Sequence, residues 1–295
     1  MIRPAHFTYN EQTAVNNAFQ VAGQQEAAQE KAVQEFDNFV QLLRDNDVDV
    51  TVVNDTKEPH TPDSIFPNNW ISFHESGKLF LYPMYAENRR KERKQHVLDE
   101  LNKKFKFSKT IDLTHFEKDN KFLEGTGSMV LDREFKIAYA CLSPRTDKKV
   151  VMQFAKESGY EPVLFHATDA KGQPIYHTNV MMCVADYYVV VCLESIKSVA
   201  EKSEVIATIN GTEKEVVIIT LDQTAHFAGN MLQVENTKGE KLLIMSTQAY
   251  NSLTTDQLDA LENYNRIIHA DLNTIETNGG GSARCMLAEI FAPAQ

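Results

Sequence analysis

Five short segments of similar pattern recur along the chain, and this repetition constrains the fold more than any other feature of the sequence. Each segment begins with a small polar residue after a turn that contains Gly or Asn. Successive openings are 59, 51, 51 and 55 residues apart. Units repeated at such a period bury their apolar faces against one another, so the pattern predicts five units around one axis. Core strands of an ordinary α/β domain have a similar spacing, so the repeat alone does not distinguish that architecture from five units around an axis. The opening residues are Asn69, Ser128, Asn179, Asn230 and Cys285.

Apolar periodicity predicts that strands alternate with helices of roughly 10–15 residues along the chain. No Ser/Gly-rich linker interrupts this alternation. We therefore predict a single α/β domain over residues 1–295, built of ββαβ-like units. The predicted helices cover residues 11–45, 87–105, 148–158, 195–203 and 255–264. The predicted strands cover residues 49–53, 79–82, 137–141, 187–193, 216–221 and 242–245, with a further strand in the apolar run that follows Cys285.

Composition excludes several classes of protein. The chain is 42% hydrophobic and 24% charged, which is typical of a globular domain with a substantial core. Its net charge of -11 argues against binding to nucleic acid or to an anionic membrane, since both require a basic patch. We see no secretory signal and no apolar run long enough to span a bilayer. We therefore predict a cytoplasmic protein with four reduced thiols, Cys141, Cys183, Cys192 and Cys285.

One of these thiols lies where a nucleophile is expected. Three glycines, Gly279 to Gly281, precede Cys285 and allow a sharp turn or a close approach to a ligand. A cysteine after such a loop is well placed to attack a substrate, although an inert core thiol is also consistent with this position. His177 and Glu124 lie beside other repeat openings. An imidazole activates a thiol and transfers protons, and a carboxylate orients the imidazole or binds planar nitrogen groups.

Four motifs give the chain a resemblance to a known group of enzymes. They are Phe66-Pro67-Asn68-Asn69, Glu124-Gly125-Thr126-Gly127, His177-Thr178-Asn179, and the run from Gly279 to Met286 with its Gly-Gly-x-x-x-Cys-Met pattern. In this order they resemble the motifs of the guanidino-modifying enzymes of the pentein superfamily, which include arginine deiminases, dimethylarginine dimethylaminohydrolases and amidinotransferases. The resemblance covers nearly the whole chain and implies a five-bladed, pseudo-symmetric α/β propeller.

The resemblance also implies roles for individual residues. Cys285 is expected to attack the carbon of a guanidino or ureido group, and His177 to act as general acid and then general base. Glu124 is expected to hold substrate nitrogens and orient His177. Arg145 is similar to the family arginine that binds the substrate α-carboxylate. Arg89 resembles a second such arginine. Either arginine is equally consistent with a surface salt-bridge residue, and Arg89 is expected to be one unless a loop folds over the site.

Two departures from the family pattern bear on the substrate. Asn69 and Asn179 stand where a deiminase has aspartates that bind the guanidinium. Phe66, the first residue of the Phe66-Pro67-Asn68-Asn69 motif, is also expected to bind substrate. An amide offers a donor and an acceptor, which suits a neutral ureido group better than a cation. The stretch from Thr61 to Trp70 is most similar to a bacterial branch of citrulline-utilising hydrolases. We therefore expect hydrolysis of citrulline to ornithine through an S-carbamoyl intermediate.

Other functions remain consistent with the sequence. Arginine or a modified arginine is an alternative substrate, with an S-alkylthiouronium intermediate, and amidino transfer to an amine is an alternative to hydrolysis. A binding protein with this fold but without catalysis is a third possibility, whereas a papain-like peptidase would carry its cysteine early in the chain. The histidines lack metal-ligand spacing and no nucleotide-binding glycine motif is present, so we expect no metal, no cofactor and a small amino acid as partner.

Overall fold

Four three-stranded sheets of identical connectivity dominate the computed structural model, which describes residues 1–21 and 27–292. In each sheet the first two strands form an antiparallel hairpin and the third runs parallel to the second. The predicted ββαβ unit is therefore confirmed four times. The strands are β1 (Ile2–Arg3), β2 (Val53–Asn54), β3 (Ile71–Phe73), β4 (Lys78–Leu81), β5 (Lys109–Asp112), β6 (Met129–Asp132), β7 (Ile137–Cys141), β8 (Glu161–Phe165), β9 (Met182–Val184), β10 (Tyr188–Val191), β11 (Glu215–Ile218), β12 (Leu232–Glu235), β13 (Lys241–Ser246) and β14 (Arg266–Ala270).

Helices connect the second and third strands of these sheets and bury one face against them. In the helix Lys148–Ser158, for example, the apolar residues Val150, Val151 and Phe154 are fully buried. No described helix has the length and apolar character that crossing a bilayer requires. The helices are α1 (Glu11–Ala14), α2 (Ala28–Asp45), α3 (Glu87–Arg90), α4 (Gln95–Asn102), α5 (Gly125–Ser128), α6 (Lys148–Ser158), α7 (Val199–Asn210), α8 (Leu221–Ala225), α9 (Thr247–Ser252), α10 (Thr255–Glu262) and α11 (Asn273–Gly279).

A fifth unit differs from the other four. Here β1 pairs in parallel with β2, and α2 lies between them in sequence. The strand predicted after Cys285 is wrong, because Ala283–Met286 forms a 3₁₀ turn and residues 287–292 lie outside any strand. Ala288 and Ile290 pack against the apolar cluster around β1 without joining a ladder. An apolar run alone does not show whether its backbone finds a pairing partner.

Four other predicted elements differ in extent. The predicted helix 11–45 is present as α1 and α2, with residues 22–26 outside the described part of the chain, and only the end of the predicted strand 49–53 joins β2. The predicted helix 87–105 is divided into α3 and α4. The helix predicted at residues 195–203 begins at Val199, because the Ser198 hydroxyl caps it by accepting a bond from the Glu201 amide over 3.3 Å.

The turns that open the repeated segments meet in the middle of the molecule. The turn Pro67–Asn69 contacts both α5 and Ala283–Met286, and α5 also contacts the turn Thr178–Val180. The Asn230 amide donates to the Asn179 carbonyl oxygen over 2.9 Å. The predicted crowding of the opening residues is therefore confirmed, and it creates the candidate site.

Candidate active site

Cys285 lies in a buried turn with two amide groups directed at its sulfur. The Nδ2 atoms of Asn179 and Asn230 donate to Sγ over 3.5 and 3.3 Å. Hydrogen bonds of this kind stabilise a sulfur that carries negative charge. The glycine loop before Cys285 packs closely against Phe66 because it has no side chains there: a Cβ on Gly281 would lie 2.9 Å from the ring of Phe66. The sequence thus places a thiol at the wall of a cavity with donors already in position.

His177 and Glu124 form a buried pair. Nε2 of His177 lies 2.8 Å from Oε2 of Glu124. Burial raises the pKa of Glu124, but Arg145, His177 and Arg89 together hold it below its ordinary value. Burial lowers the pKa of His177 to about 4, against the opposing effect of Glu124. His177 is therefore neutral near pH 7, with its hydrogen on Nε2 towards the carboxylate and a free lone pair on Nδ1.

Gly127 lies close to both the His177 ring and the Asn69 amide. A Cβ at this position would lie 2.8 Å from Nδ1 of His177 and would also collide with Nδ2 of Asn69. Any larger residue would therefore displace both side chains. Gly127 of the Gly-Thr-Gly motif thus serves this site by being small, since a side chain there would collide with both His177 and Asn69.

Arg89 is buried, so its expected location on a charged helix surface is wrong. Its guanidinium binds both carboxylate oxygens of Glu92 over 2.8 and 3.0 Å and donates from Nη1 to Oδ1 of Asn69 over 2.9 Å. Nη1 also lies 3.9 Å from Glu124. Burial raises the pKa of Glu92 to about 7 although Arg89 opposes this. The helix breaks after Arg90, and the short α3 turns Arg89 inward, where charged and amide partners replace its water.

Arg145 is also buried and fully engaged. It donates from Nε and Nη2 to Oδ1 of Asn16 over 2.8 and 2.5 Å, and from Nη2 to the Thr13 carbonyl over 2.7 Å. Its Nη1 lies 3.5 Å from Glu124, and its guanidinium carbon lies 4.9 Å from the centre of the Tyr176 ring. The arginine expected to bind a substrate carboxylate therefore binds protein oxygens in this conformation.

The N-terminal segment, residues 10–21, supplies those oxygens and covers the site. Asn17 donates to the Gly280 carbonyl over 3.2 Å, and Gln20 donates to the Asn278 carbonyl over 2.8 Å. The segment thereby binds directly to the glycine loop that precedes Cys285. Thr13 and Asn17 of this segment line the cavity that contains Cys285.

The cavity left beneath the segment is small and polar. Its volume is about 10 Å³, room for about one water molecule. It is lined by Thr13, Asn17, Asp63, Phe66, Asn69, Arg89, Arg145, Tyr176, His177, Gly279, Gly280, Gly281 and Cys285. Oδ1 of Asp63 and Nδ2 of Asn69 are buried and have no hydrogen-bond partner among the described residues. Buried polar atoms are normally paired, so these two are candidate contacts for a ligand.

The predicted site residues come together in two layers. Six of them line the cavity, namely Cys285, His177, Asn69, Arg145, Arg89 and Phe66, while Glu124 holds His177 and Asn179 holds the sulfur. Within the described residues, His, Cys, Asp and Glu side chains form no group able to hold a metal ion.

Sequence reasoning missed several residues of this site. Asn230 was recognisable as a repeat opening, although its contact with Cys285 was not. Asp63 lies in the stretch that carries the closest family resemblance, but its burial gave no local signal. Thr13 and Asn17 reach the cavity through tertiary packing of the N-terminal segment. Burial raises the pKa of Asp63, against the effect of Arg89.

Comparison with known proteins assigns the family. A family model described as N,N dimethylarginine dimethylhydrolase, eukaryotic, matches residues 3–292. The chain belongs to this family. The family is one of guanidino-modifying enzymes of the pentein superfamily. No curated protein sequence matches the chain.

Solved structures share the fold at low sequence identity. ArgZ, an arginine dihydrolase from the ornithine-ammonia cycle in cyanobacteria, matches 99% of this chain with a TM-score of 0.79 and 20% identity, and the chain spans 40% of its length. An ArgZ N-terminal domain covalently bound to a reaction intermediate has a TM-score of 0.77 at 22% identity, covering 99% of this chain and 98% of that one. A dimethylarginine dimethylaminohydrolase adduct with S-methyl-L-thiocitrulline has a TM-score of 0.66 at 14% identity, covering 97% and 96%.

Proposed function

We propose that the chain hydrolyses the ureido group of citrulline or a close analogue to give ornithine, ammonia and carbon dioxide. The orientation of Asn69 carries this proposal. Arg89 can only donate, so the atom that faces it must be Oδ1, and Nδ2 is left free towards the cavity. A ureido group offers a carbonyl oxygen to that donor. A guanidinium offers only further N–H donors, which Nδ2 cannot accept.

The same groups suit the first chemical step. Nδ1 of His177 takes the proton of the Cys285 thiol, and the sulfur attacks the ureido carbon. Negative charge then develops on the ureido oxygen, where Nδ2 of Asn69 donates to it. The resulting imidazolium, stabilised by Glu124, passes its proton to the alkyl-substituted nitrogen. The C–N bond breaks and ornithine leaves an S-carbamoyl group on Cys285.

Hydrolysis of that intermediate reverses the proton flow. With ornithine gone, neutral His177 takes a proton from water, which attacks the carbamoyl carbon. The C–S bond breaks, and the Cys285 sulfur recovers its proton from the imidazolium. Carbamic acid is released and decomposes to ammonia and carbon dioxide. Every step is served by groups of this chain, and we infer that residues 1–295 form one catalytic domain.

Substrate anchoring follows from the charges at the cavity wall. Once the N-terminal segment opens, Arg145 is available to bind the α-carboxylate in place of Asn16 and Thr13. The unpartnered Oδ1 of Asp63 is suited to the α-ammonium group. These two anchors fix an amino acid by its main-chain groups and leave the side-chain head for Cys285 and Asn69.

We also infer that the sheets are blades of a closed five-bladed propeller. Four sheets share one connectivity, and β9 contacts both β6 and β12. The fifth blade would combine the parallel pair of β1 and β2 with the segment that follows Cys285. This arrangement is consistent with the shared fold of ArgZ and dimethylarginine dimethylaminohydrolase.

A second candidate activity is hydrolysis of arginine or a methylated arginine. The buried carboxylates of Glu124 and Asp63 favour it, since both suit a cation. The family description and the ArgZ dihydrolase point in the same direction. With arginine as substrate, the first intermediate is an S-alkylthiouronium. The enzyme then stops at citrulline or hydrolyses the citrulline further to ornithine.

Product analysis separates the two. Purified protein is incubated in parallel with citrulline, arginine and dimethylarginine, alongside a Cys285→Ala variant. Ornithine from citrulline alone, absent in the variant, is the expected result. Equal or faster turnover of arginine would overturn the argument from Asn69. If an amine added to the reaction received the amidino group, the enzyme would be an amidinotransferase rather than a hydrolase.

A further inference from the structure

A second cavity of about 740 Å³ lies further along the same strands that begin at the candidate active site. Its walls include residues two to seven positions after the repeat openings, such as Val130–Arg133 after Ser128 and Leu232–Glu235 after Asn230. It is large enough for a small metabolite, whereas the cavity at Cys285 holds about one water molecule in this conformation. None of the steps proposed for catalysis uses it.

One wall of this cavity carries excess positive charge. Arg133 and Arg284 share the Oε2 atom of Glu289, with Nη2 atoms at 3.4 and 3.6 Å. Both guanidinium groups are largely buried, and that of Arg133 also stacks over Phe291 at 3.9 Å. Two cations with one carboxylate leave donors for a second carboxylate, and a guanidinium binds carboxylates with particular geometric fit.

The rim carries excess negative charge. Lys241 alone binds two carboxylates, Asp186 at 2.9 Å and Glu235 at 2.8 Å. Deeper in the cavity, Oδ2 of Asp132 is buried and makes no hydrogen bond of normal geometry within the described residues, although Lys214 lies 3.2 Å away. These carboxylates suit ammonium groups. The cavity thus presents a carboxylate-binding wall and an ammonium-binding rim.

We propose that this cavity is a regulatory site for a free amino acid with a cationic side chain, of the ornithine class. Its α-carboxylate would bind Arg133 and Arg284, and its side-chain ammonium group would face Asp186 and Glu235. A diamine lacks the carboxylate and a neutral amino acid lacks the second cation, so each meets only part of this charge pattern.

Arg284 connects the cavity to the thiol. It precedes Cys285 in the same 3₁₀ turn, and its backbone N–H donates to Oδ1 of Asn230 over 3.1 Å. Nδ2 of the same Asn230 donates to Sγ of Cys285 over 3.3 Å. A carboxylate that draws the Arg284 side chain into the cavity therefore pulls on the Asn230 side-chain amide, which binds the Cys285 sulfur. Occupancy of the site thereby alters the reactivity of Cys285.

Equilibrium dialysis with labelled L-ornithine tests the site independently of turnover. The measurement uses Arg145→Gln, which removes the expected carboxylate anchor of the catalytic cavity. We expect one ornithine per chain in this background and at least about tenfold weaker binding when Arg133→Gln is added. The matched control Lys103→Gln, whose side chain is 66% exposed directly after α4, keeps full affinity. Putrescine, which lacks a carboxylate, competes poorly.

Three outcomes would overturn the site: no binding in the Arg145→Gln background, unchanged affinity after Arg133→Gln, or equal competition by putrescine. If circular dichroism shows that Arg133→Gln does not fold, the rim variant Asp186→Asn/Glu235→Gln takes its place with the same expectation. Coupling between this cavity and Cys285 is measured as the rate at which iodoacetamide alkylates Cys285, with the alkylated peptide quantified by mass spectrometry. That rate should change when ornithine saturates Arg145→Gln, and an unchanged rate would refute the coupling.

Discussion

Arg89 donates a hydrogen bond from Nη1 to Oδ1 of Asn69 over 2.9 Å, and this bond decides which end of the amide faces the cavity. Arg89 is in turn held by both carboxylate oxygens of Glu92. A buried ion pair therefore sets the hydrogen-bonding character of a group placed to touch substrate. Specificity for a neutral ureido group would arise from this orientation as much as from the identity of residue 69.

Asn69→Asp should reverse that specificity. The substitution replaces the free donor with a second acceptor and adds a negative charge, which opposes a developing oxyanion and favours a guanidinium. We expect kcat/KM for citrulline to fall by at least about 100-fold and the ratio of arginine to citrulline turnover to rise. Steady-state kinetics with both substrates measure this. Asn120→Asp, the same change at an exposed position, is the control, and an unaltered substrate ratio would contradict the assignment.

Removing Arg89 should cost both stability and activity, for different reasons. Arg89→Ala leaves Glu92 buried without its partner, which destabilises by about 3–5 kcal/mol when the carboxylate is ionised. The double variant Arg89→Met/Glu92→Leu removes both charges and should recover most of the free energy of unfolding, measured by urea at pH 8. Activity should not recover, because Asn69 is no longer oriented. Recovery of kcat/KM in the double variant would show that Arg89 acts only through stability.

The sequence predicted those parts of the site that repeat along the chain. Asn69, Asn179 and Cys285 open equivalent segments, so their meeting follows from the period once the units pack around an axis. The burial of Arg89 did not follow, because a charged run is typical of a solvated helix until its partners are known. The strand expected after Cys285 failed for a similar reason, since pairing depends on distant backbone.

The N-terminal segment is a stronger example of contacts that the sequence pattern does not predict. Asn16 and Asn17 lie in a Gln- and Ala-rich stretch without any catalytic motif, yet they bind Arg145 and the glycine loop from more than 120 residues away. Only tertiary packing creates those contacts. Polar residues in such a stretch carry no signal that distinguishes a solvated helix end from a cover over a site.

Acid should destabilise the fold through its buried histidines. Burial lowers the pKa of His74 to about 3 and that of His177 to about 4, while an unfolded histidine titrates near 6.5. The unfolded chain therefore binds protons first, so this stability is present above pH 6.5 and is lost as pH falls towards 4. At pH 5 each histidine contributes about 2 kcal/mol less than at pH 7.

Two buried carboxyl groups act in the opposite sense, so a variant must be compared with the parent chain. Burial raises the pKa of Glu92 and Glu276 to about 7, which makes their contribution larger as pH falls from 7 to 4.5. His74→Gln should therefore reduce the drop in unfolding free energy between pH 7 and pH 5 by about 2 kcal/mol. Urea titrations at both values measure it, and an equal drop in both proteins would refute the role of His74.

Asn16→Ala should make the site easier to enter. Asn16 accepts two bonds from Arg145 where a substrate carboxylate is expected to bind, and the closed cavity is too small for an amino acid. Weakening the closed state raises the fraction of chains that can bind, and the apparent affinity rises by the same factor. We expect KM for citrulline to fall by about 3- to 10-fold with kcat little changed. Glu11→Ala, at an exposed position of the same segment, should leave KM unchanged, and a higher KM in Asn16→Ala would mean that Asn16 itself contacts the bound substrate.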